Sequence, residues 1–141
     1  MNIGLRRCLR ELTLVALGFM ALTAGLTYPL ALHLGTLGRT DNADGQFAVW
    51  NVTWVARTLV VDPLRLFDAN IFYPHRWTLA YSETNLGSGL VAAPVYWLTR
   101  NPYAGFNAVL LLSFVVSGVG MYYLVRYVAD FRVLRRIHPF R

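Results

Sequence analysis

Two aspartates, Asp41 and Asp44, stand in the run DNADGQ, about ten residues after a long uncharged stretch of the chain. A carboxylate within about 3 Å of an acceptor hydroxyl can take its proton as a general base. Asp is also favoured at a helix N-terminus, where its side chain caps free backbone N–H groups, and a helical pattern follows here. We therefore take Asp44 and Asp41 as candidate catalytic residues, with helix capping as the competing interpretation.

Three side chains further along the chain, His75, Arg76 and Glu83, are candidates for substrate binding. Arg76, with His75 beside it, can neutralise a departing phosphate through charge-assisted hydrogen bonds, and its alternative role is that of a solvated loop charge. Glu83 is either a second acidic group of the site or a cap for the next helix. The residue types alone leave both pairs of alternatives open.

The common catalytic and metal-binding motifs are missing from the sequence. It contains no P-loop, no CxxC, no HExxH and no GxSxG, so nucleotide, zinc and serine-hydrolase chemistry have no template. The three histidines, His33, His75 and His138, are scattered, and no metal site is predicted. No cofactor is predicted either, and the residue pattern gives a divalent cation no support.

Two long uncharged segments are positioned to anchor these residues in a membrane. Residues 12–32 and residues 103–125 carry no charge, and a helix over the first spans about 31 Å, the thickness of the hydrocarbon core of a bilayer. A cleaved signal peptide is the rival interpretation of the first, but such cores run about 7–15 residues. Both segments are therefore predicted to be transmembrane helices.

The charge distribution predicts the orientation of these helices. The chain is 56% hydrophobic and 14% charged, with a formal net charge of +6, whereas a soluble protein is about 25% charged. Only Glu11 and Asp130 oppose the terminal arginines, which are Arg6, Arg7, Arg10, Arg126, Arg132, Arg135, Arg136 and Arg141. By the positive-inside rule, residues 1–11 and 126–141 are cytoplasmic and residues 33–102 form an exterior loop. The excess of positive charge is thus explained by membrane orientation, and no nucleic-acid partner is predicted.

The exterior loop carries patterns of its own. Phe47, Trp50 and Trp54 fall near the i, i+3, i+7 spacing of a helix, which predicts an amphipathic membrane-surface helix near 45–61. A second apolar stretch near 84–99 is short for a span and predicts another surface helix, with a tilted transmembrane helix as the alternative. The predicted fold is an all-α membrane protein with two transmembrane helices joined by this loop.

Several segments resemble the amino-terminal part of the GT-C class of integral-membrane glycosyltransferases. They are TYPLALHL, DNADGQFAVWNVTW, FDANIFYP, LAYSE, AAPVYWLTRNP and LLLSFVVSGVGMYYLVR, and together they cover about residues 12–128. The resemblance implies transfer of a sugar from a polyprenyl-phosphate donor to an exterior acceptor, with inversion. It also implies that an Asp of the first exterior loop is the base, and by position that residue is Asp44, with Asp41 the runner-up.

Members of that class have many more spans, which help to form the donor and acceptor cavities. The chain is therefore expected to be a fragment, inactive alone, of a bacterial protein in the inner (plasma) membrane with both termini cytoplasmic. Its expected partners are the lipid bilayer, a polyprenyl-phosphate sugar, and the missing C-terminal helices or a partner subunit. The alternatives are a non-catalytic two-span scaffold or accessory subunit, and a flippase-like or polymer-export component.

Overall fold

The structure, a computed structural model, describes residues 3–38, 43–81 and 83–137. Within these ranges the chain forms four α-helices and no strand: α1 (Ile3–Leu26), α2 (Asp44–Val61), α3 (Leu86–Thr99) and α4 (Pro102–Ile137). Short 3₁₀ turns lie at Leu30–Leu32, Pro63–Arg65 and Thr78–Tyr81. The all-helical class predicted from the sequence is confirmed.

The helix bounds differ from the uncharged segments. α1 begins at Ile3 and ends at Leu26, and the chain then turns at Thr27–Pro29, since Pro29 has no N–H to continue a helix and restricts the residue before it. α4 runs on from the second uncharged segment to Ile137. Charged residues do not end a helix. An uncharged segment therefore gives the length of the apolar stretch, but it does not show where the helix begins or ends.

Among the described residues, two helices are long and apolar enough to cross a membrane, over Gly4–Leu26 and Pro102–Ala129. In the apolar 18-residue window of each helix, 6% and 0% of the residues are buried within the chain, whereas a core helix of a soluble domain is mostly buried. α3 is apolar but has only 14 residues, which corresponds to about 21 Å of helix and falls short of a bilayer core.

The helices group into two compact units. The helix-pair unit comprises Met1–Thr27 and Leu111–Arg141, and the central unit comprises Tyr28–Leu110. In the helix-pair unit the ring of Phe19 lies against Gly118. Glu11 forms an ion pair with Arg126 and accepts a hydrogen bond of 3.3 Å from the hydroxyl of Tyr122. These contacts make the two segments antiparallel, so that α1 begins where α4 ends.

The central unit is built on the packing of α2 against α3. Gly89 of α3 lies against Val55 of α2, and Nε1 of Trp97 donates to the carbonyl of Ala56 at 2.7 Å. Val55 belongs to a buried cluster with Ala69 and Leu79 from the connecting segment. The segment between α2 and α3 therefore packs on α2.

Two asparagines fasten the segment that follows α1 to the end of the central unit. The buried Asn107 donates from Nδ2 to the carbonyls of Leu34 and Leu37 at 2.7 and 2.6 Å. Asn101 donates to the carbonyl of Gly35 at 2.9 Å. These hydrogen bonds thus join the first residues of the central unit to its last residues.

Candidate functional site

Asp44 lies in the first turn of α2, and its side chain is exposed. The N-cap residue of α2 is Ala43, whose own side chain makes no cap hydrogen bond. The helix-capping interpretation of Asp44 is therefore wrong, although its negative charge still complements the positive end of the helix dipole. Asp41 lies outside the described residues.

Glu83 lies just before α3 and also is not its N-cap. That position is taken by Asn85, in the left-handed region at φ 43°, so the cap interpretation of Glu83 is wrong as well. The side chain of Glu83 is exposed, while its backbone carbonyl accepts a hydrogen bond from Nδ2 of the buried Asn51. Glu83 thus joins the entry of α3 to the middle of α2 through its backbone.

His75 and Arg76 lie in a turn bounded by two large residues with positive φ, Phe72 at 56° and Trp77 at 61°. Such a conformation costs about 1–3 kcal/mol in a non-glycine residue and persists only where surrounding contacts impose it. Trp77 has those contacts, because its N–H donates to Asp68 Oδ1 at 2.9 Å and its ring stacks on Phe67. The turn holds both His75 and Arg76 exposed to solvent.

The predicted site residues are not joined by direct contacts. In the described ranges no hydrogen bond or ion pair links Asp44, His75, Arg76 and Glu83 to one another. Glu83 is bonded to Asn51, which lies two turns beyond Asp44, or about 10 Å along the helix axis. Each of these side chains is exposed and accessible to a ligand.

A cavity of about 590 Å³ lies along a different face of α2. Its lining residues on α2 follow helical spacing and are Gln46, Val49, Trp50, Thr53, Trp54 and Arg57. Asn70, Tyr96, Pro102 and Tyr103 complete the wall from other elements of the central unit. Asp44 precedes Gln46 by two positions, which is about 200° around a helix. The carboxylate of Asp44 therefore lies on the side of α2 away from the cavity.

The cavity wall combines aromatic rings, neutral hydrogen-bonding groups and one cation. Among the described residues lining it, Arg57 alone is charged. Two of the rings are fixed in place, since Nε1 of Trp54 donates to the carbonyl of Leu66 at 2.9 Å and the hydroxyl of Tyr103 donates to Gln46 at 3.0 Å. Trp50 stacks on Trp54 with ring centroids 6.0 Å apart. Ligand pockets are typically lined in this way, by apolar and aromatic side chains with a few polar groups among them.

Sequence reasoning did not find this cavity, although it found part of its wall. The spacing of Phe47, Trp50 and Trp54 predicts an aromatic face on α2 that lies on the membrane surface. The opposing wall comes from Asn70, Tyr96 and Tyr103, which lie on other elements. Only the tertiary packing brings these residues to α2.

No group of three or more His, Cys, Asp and Glu side chains suited to a metal ion occurs within the described ranges. Comparison of the chain with known protein families, with curated protein sequences and with solved structures finds no match.

Proposed function

We propose that the chain is the N-terminal module of a membrane glycosyltransferase that moves a sugar from a polyprenyl-phosphate donor to an exterior acceptor. Asp44 is the general base in this proposal. The observation that carries it is the state of the Asp44 carboxylate, which is exposed at the start of α2 and is not used as a helix cap. A carboxylate that does not cap its helix, and that makes no ion pair within the described residues, is available to take a proton.

The packing of α2 supports this assignment because a general base must be held in place. α2 is fixed by the contact of Val55 with Gly89 and by the hydrogen bonds that Asn51 and Trp97 make across it. A side chain on a rigid helix keeps its geometry better than one on a loop. Asp41 is the second candidate for the same role.

The proposed reaction is a displacement at the anomeric carbon of the donor sugar. Asp44 takes the proton of the acceptor hydroxyl, and the acceptor oxygen attacks the anomeric carbon from the face opposite the phosphate. The bond from carbon to phosphate oxygen breaks, and the polyprenyl phosphate leaves with the bonding electrons. Arg76 and His75 are the groups of this chain proposed to stabilise that phosphate, and Glu83 is a further substrate contact.

The orientation proposed for this module places the central unit outside a bacterial plasma membrane. α1 and α4 are antiparallel in the helix-pair unit, and the arginine-rich ends of the chain belong to the start of α1 and the end of α4. The positive-inside rule then puts both ends in the cytoplasm. Two helices do not enclose a polyprenyl chain, so the proposed activity needs further helices in the same chain or in a partner subunit.

The test compares Asp44→Asn with Asp62→Asn in the full reading frame that contains this chain. Asp62 ends α2 and pairs with Arg65 at 3.7 Å, so the control removes a carboxylate from the other end of the same helix. Membranes carrying each variant are supplied with labelled polyprenyl-phosphate sugars. We expect Asp44→Asn to lower transfer by about 10²–10⁴-fold, with insertion unchanged and Asp62→Asn fully active.

Normal turnover in Asp44→Asn would exclude Asp44 as the base. If Asp41→Asn then lost transfer, the role would pass to Asp41. Loss of transfer in Asp62→Asn to the same extent would indicate a folding defect at α2 in place of a catalytic one.

A non-catalytic two-span scaffold or accessory subunit is the competing function. The observation that favours it is the lack of contact among Asp44, His75, Arg76 and Glu83 in the described residues. Reading the genomic frame past the codon for Arg141 discriminates the two. Further apolar segments of about 20 residues support the glycosyltransferase, and unrelated sequence after a stop codon supports the scaffold.

A further inference from the structure

We propose that the cavity along α2 binds a phosphate group that is joined to an uncharged, hydroxyl-bearing group, with Arg57 holding the phosphate. The proposal concerns a second site, because Asp44 lies on the other side of α2. It does not depend on the glycosyl transfer proposed above.

Arg57 supplies the charge for this site. Its side chain is exposed and makes no ion pair within the described residues, whereas Arg65 pairs with Asp62 and Arg126 pairs with Glu11. A guanidinium presents a planar fork of donors that matches two phosphate oxygens. An unpaired arginine at the edge of a cavity is therefore a ready ligand for a phosphate.

The rest of the wall selects what is attached to that phosphate. Trp50, Trp54, Tyr96 and Tyr103 offer ring surfaces, and the hydroxyl of Thr53 and the amide of Asn70 offer neutral polar groups. Asn70 makes no hydrogen bond in the described part of the chain, and its side chain is exposed. Ring faces contact the C–H groups of a sugar or glycerol, while amides and hydroxyls bond to its hydroxyl groups.

Charge argues against ligands that carry an amine. No described lining residue is a carboxylate, so an ammonium group would find no counter-ion and would be repelled by Arg57. The volume of about 590 Å³ lies within the range of about 300–1,000 Å³ typical of ligand pockets. A phosphate alone would leave most of this space empty, which is why the proposal includes the attached group.

This ligand chemistry has two possible sources, a soluble sugar phosphate and a phosphatidylglycerol head group in the bilayer. The test uses the full chain in neutral detergent titrated with glucose 1-phosphate, and the full chain in nanodiscs with or without phosphatidylglycerol in phosphatidylcholine. Tryptophan fluorescence reports binding, since Trp50 and Trp54 lie in the wall. The variants are Arg57→Gln and Asn70→Asp, and Arg65→Gln is the matched control outside the cavity.

We expect a saturable fluorescence change that Arg57→Gln weakens by about tenfold or more. Asn70→Asp should weaken it as well, because it places a carboxylate in the wall, and Arg65→Gln should leave it unchanged. Far-ultraviolet circular dichroism shows whether each variant keeps its helices. A response to glucose 1-phosphate supports a soluble ligand, and a response confined to phosphatidylglycerol nanodiscs supports a lipid head group.

Three results would overturn the proposal. One is the lack of a saturable response to either phosphate probe by the folded wild-type chain. Another is an equal response from wild type and Arg57→Gln. The third is an effect of Arg65→Gln as large as that of Arg57→Gln, which would assign the response to overall charge. None of these results bears on the Asp44 test, so the two proposals fail independently.

Discussion

Gly89 of α3 lies so close to Val55 of α2 that no β-carbon fits between them. Val55 is fully buried, and the carbonyl of Val52 lies beneath the same glycine. The lack of a β-carbon at Gly89 lets the backbone of α3 pack directly on the Val55 side chain. A larger residue at position 89 would therefore have to displace α3 from α2 or distort Val55.

We expect Gly89→Ala to destabilise the chain by about 1–3 kcal/mol through overpacking against Val55. Gly87→Ala is the matched control, because a β-carbon at Gly87 meets nothing within 4 Å and replaces a flexible residue with a good helix former. Thermal unfolding in detergent, followed by tryptophan fluorescence, measures both. Adding Val55→Ala to Gly89→Ala should recover part of the loss, and equal stability of the two glycine variants would contradict the packing.

A second glycine contact tests the helix-pair unit. A β-carbon at Gly118 of α4 would overlap the ring of Phe19 on α1, whereas one at Gly120 meets nothing within 4 Å. Gly118→Leu should separate the two helices and raise hydrogen exchange in both, while Gly120→Leu should not. Hydrogen–deuterium exchange mass spectrometry in nanodiscs resolves this difference. Equal exchange in the two variants would argue that Phe19 and Gly118 do not pack in the bilayer.

The proposed topology predicts which thiols are reachable from outside the cell. Cys8 is an exposed free thiol in α1, and Tyr73 in the central unit is 96% exposed. In intact cells, a membrane-impermeant maleimide should label the variant that combines Cys8→Ser with Tyr73→Cys. The native Cys8 should react only after permeabilisation. Labelling of Cys8 in intact cells would show that the N-terminus lies outside the cell and that the proposed orientation is wrong.

Local sequence signals were sufficient for the helices and insufficient for their packing. The helix predicted near 45–61 is observed as α2, Asp44–Val61, because its periodicity is local and Pro63 follows its end. The end of α1 was misplaced because Pro29 lies inside an uncharged run, and absence of charge says nothing about a turn. The positive φ values of Phe72 and Trp77 have no sequence signal, since large residues seldom adopt them.

The candidate site divides in the same way. Asp44 can be identified as a candidate from the sequence, because this needs only the prediction that a helix begins near it. The alternative roles of Asp44 and Glu83 as caps were decided only by backbone geometry, which assigns the N-cap positions to Ala43 and Asn85. The cavity beside Arg57 depends on Asn70 and Tyr103, which reach α2 through contacts distant in sequence. Composition and periodicity do not predict contacts between residues that are distant in sequence.

In the sequence, the central unit lies between the two segments of the helix-pair unit, and this sets an order of synthesis. A ribosome completes Tyr28–Leu110 before it makes Gly118, the residue that meets Phe19. When α1 has been synthesised, Glu11 has no Arg126 to pair with. The central unit is able to fold during this interval, since domains generally fold as they are synthesised. α1 therefore packs against α4 only after the central unit has been synthesised.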